Sequence, residues 1–271
     1  MNSHLLHHLL SVGLELAAHP LVYVVIAWLF GPIVVFWKFW QSMRPIWEHA
    51  ELTELPPKIS QIIADKVAHF AVAGFEPLAV LRSPRATANV GANVLIMKNT
   101  ITNDLAFTLV AQPQSRSRPE ILVFWVESRF EDGVRITTGV NPQLSAFPRD
   151  PMEQSANFVW VTSVAAICEA HRRRLDQLGM TSRRRCVPAR GQEIAMLNRD
   201  WDASGQRREL LGYQYREQTT DVYRLTWKGA LLCSWRLVQP TKAIRAFLRD
   251  HKARRLWREL GMDRSNTASI L

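Results

Sequence analysis

The sequence predicts an α+β protein: one N-terminal transmembrane helix, then an antiparallel sheet of about four strands covered by helices, then a basic helical C-terminal part. Three observations predict it. Residues 16–37 carry no formal charge. Residues 77–140 fall into short β-rich runs split by turn residues. The net charge of +10 lies entirely late in the chain, since residues 1–50 and 51–150 each sum to zero while 151–271 hold 22 bases and 12 acids. A chain of 271 residues can hold one medium domain or two small ones with a sizeable core. These patterns divide it into an N-terminal segment 1–50 with a helix at about 18–40, an α+β domain 51–180, and a basic helix–hairpin–helix region 181–271.

The first element is the run "LAAHPLVYVVIAWLFGPIVVFW". About 20 apolar residues cross a bilayer. Residues 21–37 include eleven Leu, Ile, Val or Phe, which favour insertion by about 3–7 kcal/mol. Gly31-Pro32 reduces this and kinks the helix. Trp37, Trp40 and Trp47 form an aromatic belt with Lys38 and Arg44, whereas the first 20 residues lack Lys and Arg. The positive-inside rule then places the N-terminus outside and the body in the cytoplasm. His4, His7 and His8 share a short apolar stretch, without the carboxylate or Cys that would make a metal site convincing.

Downstream, Pro56-Pro57 breaks the chain and Ile59, Ile62, Ile63, Val67 and Phe70 recur at helical spacing, with Gly74 as the stop. The strand runs "ANVLIMKN", "DLAFTLVAQ", "ILVFWVESRF" and "VRITTGV" follow. Asp132-Gly133 between the last two marks a hairpin. The 57–73 helix is the nearest cover for this meander. A further helix is expected from about Ser155 to Leu178, ended by Gly179, and another around 191–211.

Of the 34 basic residues, 27 are arginine, whose planar fork binds two oxygens at once. Arg172, Arg173 and Arg174 close the first of these helices, and Arg183, Arg184 and Arg185 follow in a loop. "LTWKGALLCSWRLVQP", residues 225–240, is too short for a second span, and its two cations would cost about 5–7 kcal/mol near a bilayer centre. As a helix from Thr226 it aligns Trp227, Leu231, Ser234, Trp235 and Val238, either packed on the body or lying at lipid headgroups. Residues 241–264 hold eight bases and three acids, among them Arg245, Arg249, Arg254 and Arg255. These arginines suit anionic lipid. The tryptophans Trp37, Trp40, Trp47, Trp227 and Trp235 suit the membrane interface.

No HExxH, GxSxG, Walker or dinucleotide motif occurs. Asp200 and Asp202 form a DxD triplet of a kind that recurs by chance. Cys168, Cys186 and Cys233 are odd in number and widely spaced, as in a reducing compartment. One local stretch, "QRRELLGYQYREQTTDVYRLTWKGAL" at about 206–231, resembles the wing hairpin of winged-helix DNA-binding domains through Leu211-Gly212-Tyr213 and Leu225-Thr226-Trp227-Lys228-Gly229. The resemblance implies that Arg207, Arg208 and Arg216 face nucleic acid. The leading expectation is a membrane-tethered scaffold or binding module without cofactor, whose partners are the bilayer and anionic lipid headgroups or an acidic protein. A membrane-anchored nucleic-acid binder and an enzyme acting on a lipid or envelope precursor are the alternatives.

Overall fold

The computed structural model describes residues 20–43, 45–87, 90–113 and 119–262. The histidine group at positions 4–8 and the first residues of the charge-free run lie outside them. Helices are α1 (Pro20–Lys38), α2 (Pro57–Val72), α3 (Val164–Gln177), α4 (Glu193–Leu210), α5 (Trp227–Leu237) and α6 (Thr241–Glu259). Strands are β1 (Trp40–Ser42), β2 (Glu48–His49), β3 (Phe75–Thr87), β4 (Val90–Asn99), β5 (Leu105–Pro113), β6 (Ile121–Arg129), β7 (Arg135–Val140), β8 (Glu153–Asn157), β9 (Gln214–Glu217) and β10 (Val222–Leu225).

All ten strands join one sheet in the order β8-β7-β6-β5-β4-β3-β1-β10-β9, with β2 on β3. The α+β class holds, but the sheet is larger than the expected four strands and is mixed, because β8 runs parallel to β7. The expected helix start near Ser155 is therefore corrected. Ser155 pairs with Thr137 in the sheet, and α3 begins only after Ser163, whose hydroxyl caps Ala166 N. β6 and β7 pair antiparallel across Asp132-Gly133, and Gly133 has a φ of +83°. At the β4–β5 turn, Asn99 Oδ1 accepts from the amides of Ile101 and Thr102. The register of β3 slips near Pro77 and Pro84, which lack an amide for the ladder.

Strand alternation gives the sheet two apolar faces. Leu95, Met97, Ala106, Val110, Phe124 and Val126 pack under Ile59, Ile63 and Phe70 of α2, Ile167 of α3 and Trp257 of α6. On the other face Leu81, Val94, Ile96, Leu105 and Phe107 meet Met196 of α4. The sheet is thus a middle layer between helices.

The single-span topology is overturned. Among the described residues no helix is long and apolar enough to cross a membrane. The helix α1 has 19 residues, includes Pro32 and ends on Lys38, against about 20 apolar residues for a crossing. One of its faces is also taken by α5. Gly31 meets Ser234 so closely that a Cβ there would collide with the hydroxyl. Trp28 stacks on Trp235 with centroids 6.1 Å apart, and Phe36 on Trp227 at 4.4 Å. Trp235 Nε1 donates to Trp28 O, and Trp28 Nε1 to Gln239 O. The chain then passes into β1, which pairs with β10 and β3. This helix is a built part of the fold, and the outside-N-terminus, cytoplasmic-body orientation derived from a span falls with the span.

Candidate anionic-surface interface

The helix α1 carries no polar face. At 100° per residue its inner side is Trp28, Gly31, Val35 and Phe36, packed on α5 and the small core of Ala146, Leu225, Ala230 and Cys233. Its outer side is Tyr23, Ile26, Leu29, Phe30, Ile33, Val34 and Trp37, all exposed, as is Val25. A helix that is apolar all round is ordinarily covered on every side. Eight exposed large apolar side chains on one helix are the kind of surface that marks an interaction site.

The neighbouring helices continue this surface. Thr226 caps α5, and Gly229, Ala230, Cys233 and Ser234 form its buried side. Trp227, Trp235 and Leu237 stay exposed beside α1. On α6, Ala253 and Trp257 face the body, while Ile244, Phe247 and Leu248 lie about half a turn round and are exposed. Phe247 stacks on His251. The expected 227/231/234/235/238 stripe is therefore split: Ser234 lies inside, and the two tryptophans straddle the boundary.

Charge along this stretch of sequence has one sign. Between Asp221 and Asp250 there are Arg224, Lys228, Arg236, Lys242, Arg245 and Arg249 and no acid, and α1 adds Lys38, again with no acid. Arg224 is paired with Glu217 and Arg249 with Asp250. Arg236 donates to Ala146 O at 3.0 Å, and Arg245 to Ser145 O at 2.7 Å and Arg236 O at 3.1 Å. Lys228 reaches Leu211 O. These acceptors are carbonyls, which hold the donors without cancelling the charge.

The arginines singled out in the sequence are placed differently. Arg172 pairs with Glu169 at 2.7 Å and Asp176 at 3.1 Å, and Arg173 with Glu169 at 2.6 Å while reaching the carbonyls of Leu260 and Gly261. Arg174 is buried and donates to Thr137 O, Thr138 Oγ1 and Gln154 O. Arg183, Arg184 and Arg185 pair with Asp132, Glu131 and Asp104 at 2.7, 3.4 and 2.6 Å. Together with a β-bridge between Phe130 and Arg185 they clasp the β6–β7 turn. They also line a cleft of about 620 Å³ with Thr102, Asn103 and Thr181. Arg254 lies over Trp160 and Arg255 pairs with Glu259. Of the tryptophans, Trp37 is 69% exposed, Trp40 sits in β1, and Trp47 packs against the Leu81–Ile96 cluster.

The residues implied by the winged-helix resemblance are tied into the fold. A helix, a hairpin and a helix do occur in that order, with Gly212 at a φ of +71° before β9. Arg207 pairs with Asp150, Arg208 donates to Gln41 and Ser204 and lies over Phe147, and Arg216 pairs with Glu209. Asp200 of the DxD triplet accepts from Arg129 at 2.6 Å. No group of three His, Cys, Asp or Glu among the described residues could hold a metal.

One constellation has the residue types of an enzyme. Ser128 Oγ lies 2.9 Å from His171 Nε2 and donates to Asp104, while His171 Nδ1 lies 3.0 Å from Thr138 Oγ1. A consistent proton assignment runs from Arg174 to Asp104. Arg174 donates to Thr138, Thr138 to His171 Nδ1, His171 Nε2–H to Ser128, and Ser128 to Asp104, which also accepts from Arg185 and Thr102. The imidazole is thereby held neutral, and burial, the largest cause, pushes its pKa down to about 4. Ser128, Thr138 and His171 are all at most 2% exposed. No reacting group can reach them, so the chain of bonds fastens α3 to the sheet.

Comparison with known proteins adds no relative: no family model, curated protein or solved structure matches this chain. Arg236 and Lys242 are not among the candidate residues that the sequence singles out. The signal that could have found them was the acid-free interval between Asp221 and Asp250.

Proposed function

We propose that this protein is a binding module that lies on an anionic lipid surface through α1, α5 and the first turns of α6. The observation that carries this reading is the exposed apolar side of α1, adjoined by α5 and the first turns of α6, a stretch whose residues 222–249 hold six bases and no acid. The helix lies in the plane of the interface with one side on α5. It does not cross. Magnitudes decide why both features are needed. Covering eight half-exposed apolar side chains returns roughly 6–12 kcal/mol, half the value for full burial. Association itself costs on the order of 4–15 kcal/mol. The apolar term alone comes near break-even, and basic residues at about 1 kcal/mol each near an anionic leaflet tip it.

The test is flotation of the full chain with phosphatidylcholine vesicles, with and without phosphatidylglycerol. Binding should appear with the anionic lipid, be weak on the neutral vesicles, and fall as salt rises. Equal binding to both kinds, or a dimer that buries α1 and ignores vesicles, overturns the reading. Duplex DNA that binds in place of vesicles would favour the nucleic-acid alternative instead.

A further inference from the structure

Arg236 closes α5 and Arg245 stands in the second turn of α6. The turn between these helices brings the two guanidinium groups together on adjacent carbonyls, Ala146 O and Ser145 O, and Arg245 also holds Arg236 O. Each guanidinium has five N–H donors, so these bonds fix the pair and leave donors over. Neither has a carboxylate partner among the described residues, unlike the arginines of both triplets except Arg174. The Arg245 pKa is held below the usual arginine range by burial and then by the charge of Arg236. Lys242 lies one turn before Arg245 and is exposed. Trp235, Leu237, Ile244 and Leu248 flank the pair and are exposed as well.

We propose that Arg236 and Arg245 form a subsite for a phosphate group, with Lys242 at its rim. Two preset guanidinium forks suit the several oxygens of a phosphate mono- or diester, which accepts paired N–H bonds and supplies the missing negative charge. The apolar side chains around the pair suit a phosphate with an apolar neighbour. The phosphate comes from a lipid headgroup if the lipid-surface reading holds, and the inference rests on that reading for its source. The chemistry is shared with a soluble phosphate ester.

The experiment uses the full chain with two probes, phosphatidylglycerol-containing vesicles and soluble pyrophosphate, the latter followed by titration calorimetry in every variant and, in the parent, by Arg side-chain Nε–Hε NMR signals. The variant Arg236→Gln/Arg245→Gln should bind the vesicles roughly thirty-fold more weakly, the effect of removing two charges near an anionic leaflet. It should also lose the pyrophosphate response. Should its urea midpoint fall, Arg236→Lys/Arg245→Lys is read in its place; keeping the charge without the fork, it should bind vesicles well and lose the pyrophosphate response. A Gln variant that binds vesicles within two-fold of the parent overturns the subsite and leaves the lipid reading standing. A parent that ignores vesicles but responds to pyrophosphate through these two arginines overturns the lipid source and supports the subsite for a soluble ester. A parent that responds to neither probe overturns both.

Discussion

Two basic populations in this chain are both rich in arginine in sequence and opposite in structure. Residues 172–185 hold two triplets, five of whose members meet carboxylates, while Arg174 is sunk among carbonyls. Residues 236–245 hold Arg236, Lys242 and Arg245 with no acid within the interval. The first population is spent on the fold: it fastens α3 and its following loop to the β6–β7 end of the sheet. The second keeps its charge at the surface, beside exposed tryptophan and leucine. Charge available to a partner depends on what each guanidinium already touches, which a count of arginines does not show.

The sharpest way to break this contrast is at Arg174. Its three hydrogen bonds end on Thr137 O, Thr138 Oγ1 and Gln154 O. Burial, and then Arg149, lower its pKa to about 10, still charged at neutral pH. Arg174→Ala removes the first donor of the Thr138–His171–Ser128–Asp104 chain and leaves buried carbonyls unmet. Each buried acceptor left unmet costs about 1–3 kcal/mol, so losing all three bonds costs on the order of 3 kcal/mol or more. Urea unfolding should show it as a lower midpoint at an unchanged slope. A change below about 1 kcal/mol would mean that the first population is not structural.

The next effect is a pH dependence centred on His171. Its folded pKa, about 4, lies below the ordinary value of 6.5. A depressed folded value means that the unfolded chain binds the proton first. Stability from this group is therefore full above about 6.5 and declines as pH falls towards about 4. The full decline is on the order of 3 kcal/mol. Urea midpoints measured from pH 7.5 to 4 should fall in the parent across this window and fall less in His171→Gln. Equal slopes in the two proteins would place the acid sensitivity elsewhere.

How much of this was legible beforehand differs by element. The 57–73 helix, the strand runs and the Asp132-Gly133 hairpin follow from periodicity and turn chemistry that are local in sequence. The span failed for a non-local reason. An apolar helix with Gly31-Pro32 reads alike whether lipid or α5 covers it, and only the fit of Gly31 against Ser234, more than 200 residues on, tells them apart. β1 and β8 were missed because "WQS" and "EQSAN" are short and polar, and their pairing is set by distant partners. The candidate surface was half legible. Trp227 and Trp235 stand out in the sequence, but the arginine triplets stand out more, and their density hides the fact that Glu131, Asp132 and Asp104 are brought to them by the fold.

The smallest expected effect gives the finest control on the comparison. Arg184 is 86% exposed on its side chain and, among the described residues, pairs with Glu131, itself 60% exposed, at 3.4 Å. An exposed pair of this kind is worth between nothing and about 1 kcal/mol. Arg184→Gln should therefore move the urea midpoint by less than about 0.5 kcal/mol. It removes the same single charge as either substitution in the Arg236–Arg245 pair and lies in the loop with the densest arginines. If net charge alone drew the protein to anionic vesicles, it would weaken binding as much as Arg245→Gln does. If position and partner decide, its vesicle affinity should stay within two-fold of the parent, while Arg245→Gln loses roughly five-fold, the share of one charge near the leaflet. Equal losses in the two variants would erase the distinction between the populations and return the arginine excess to a property of composition.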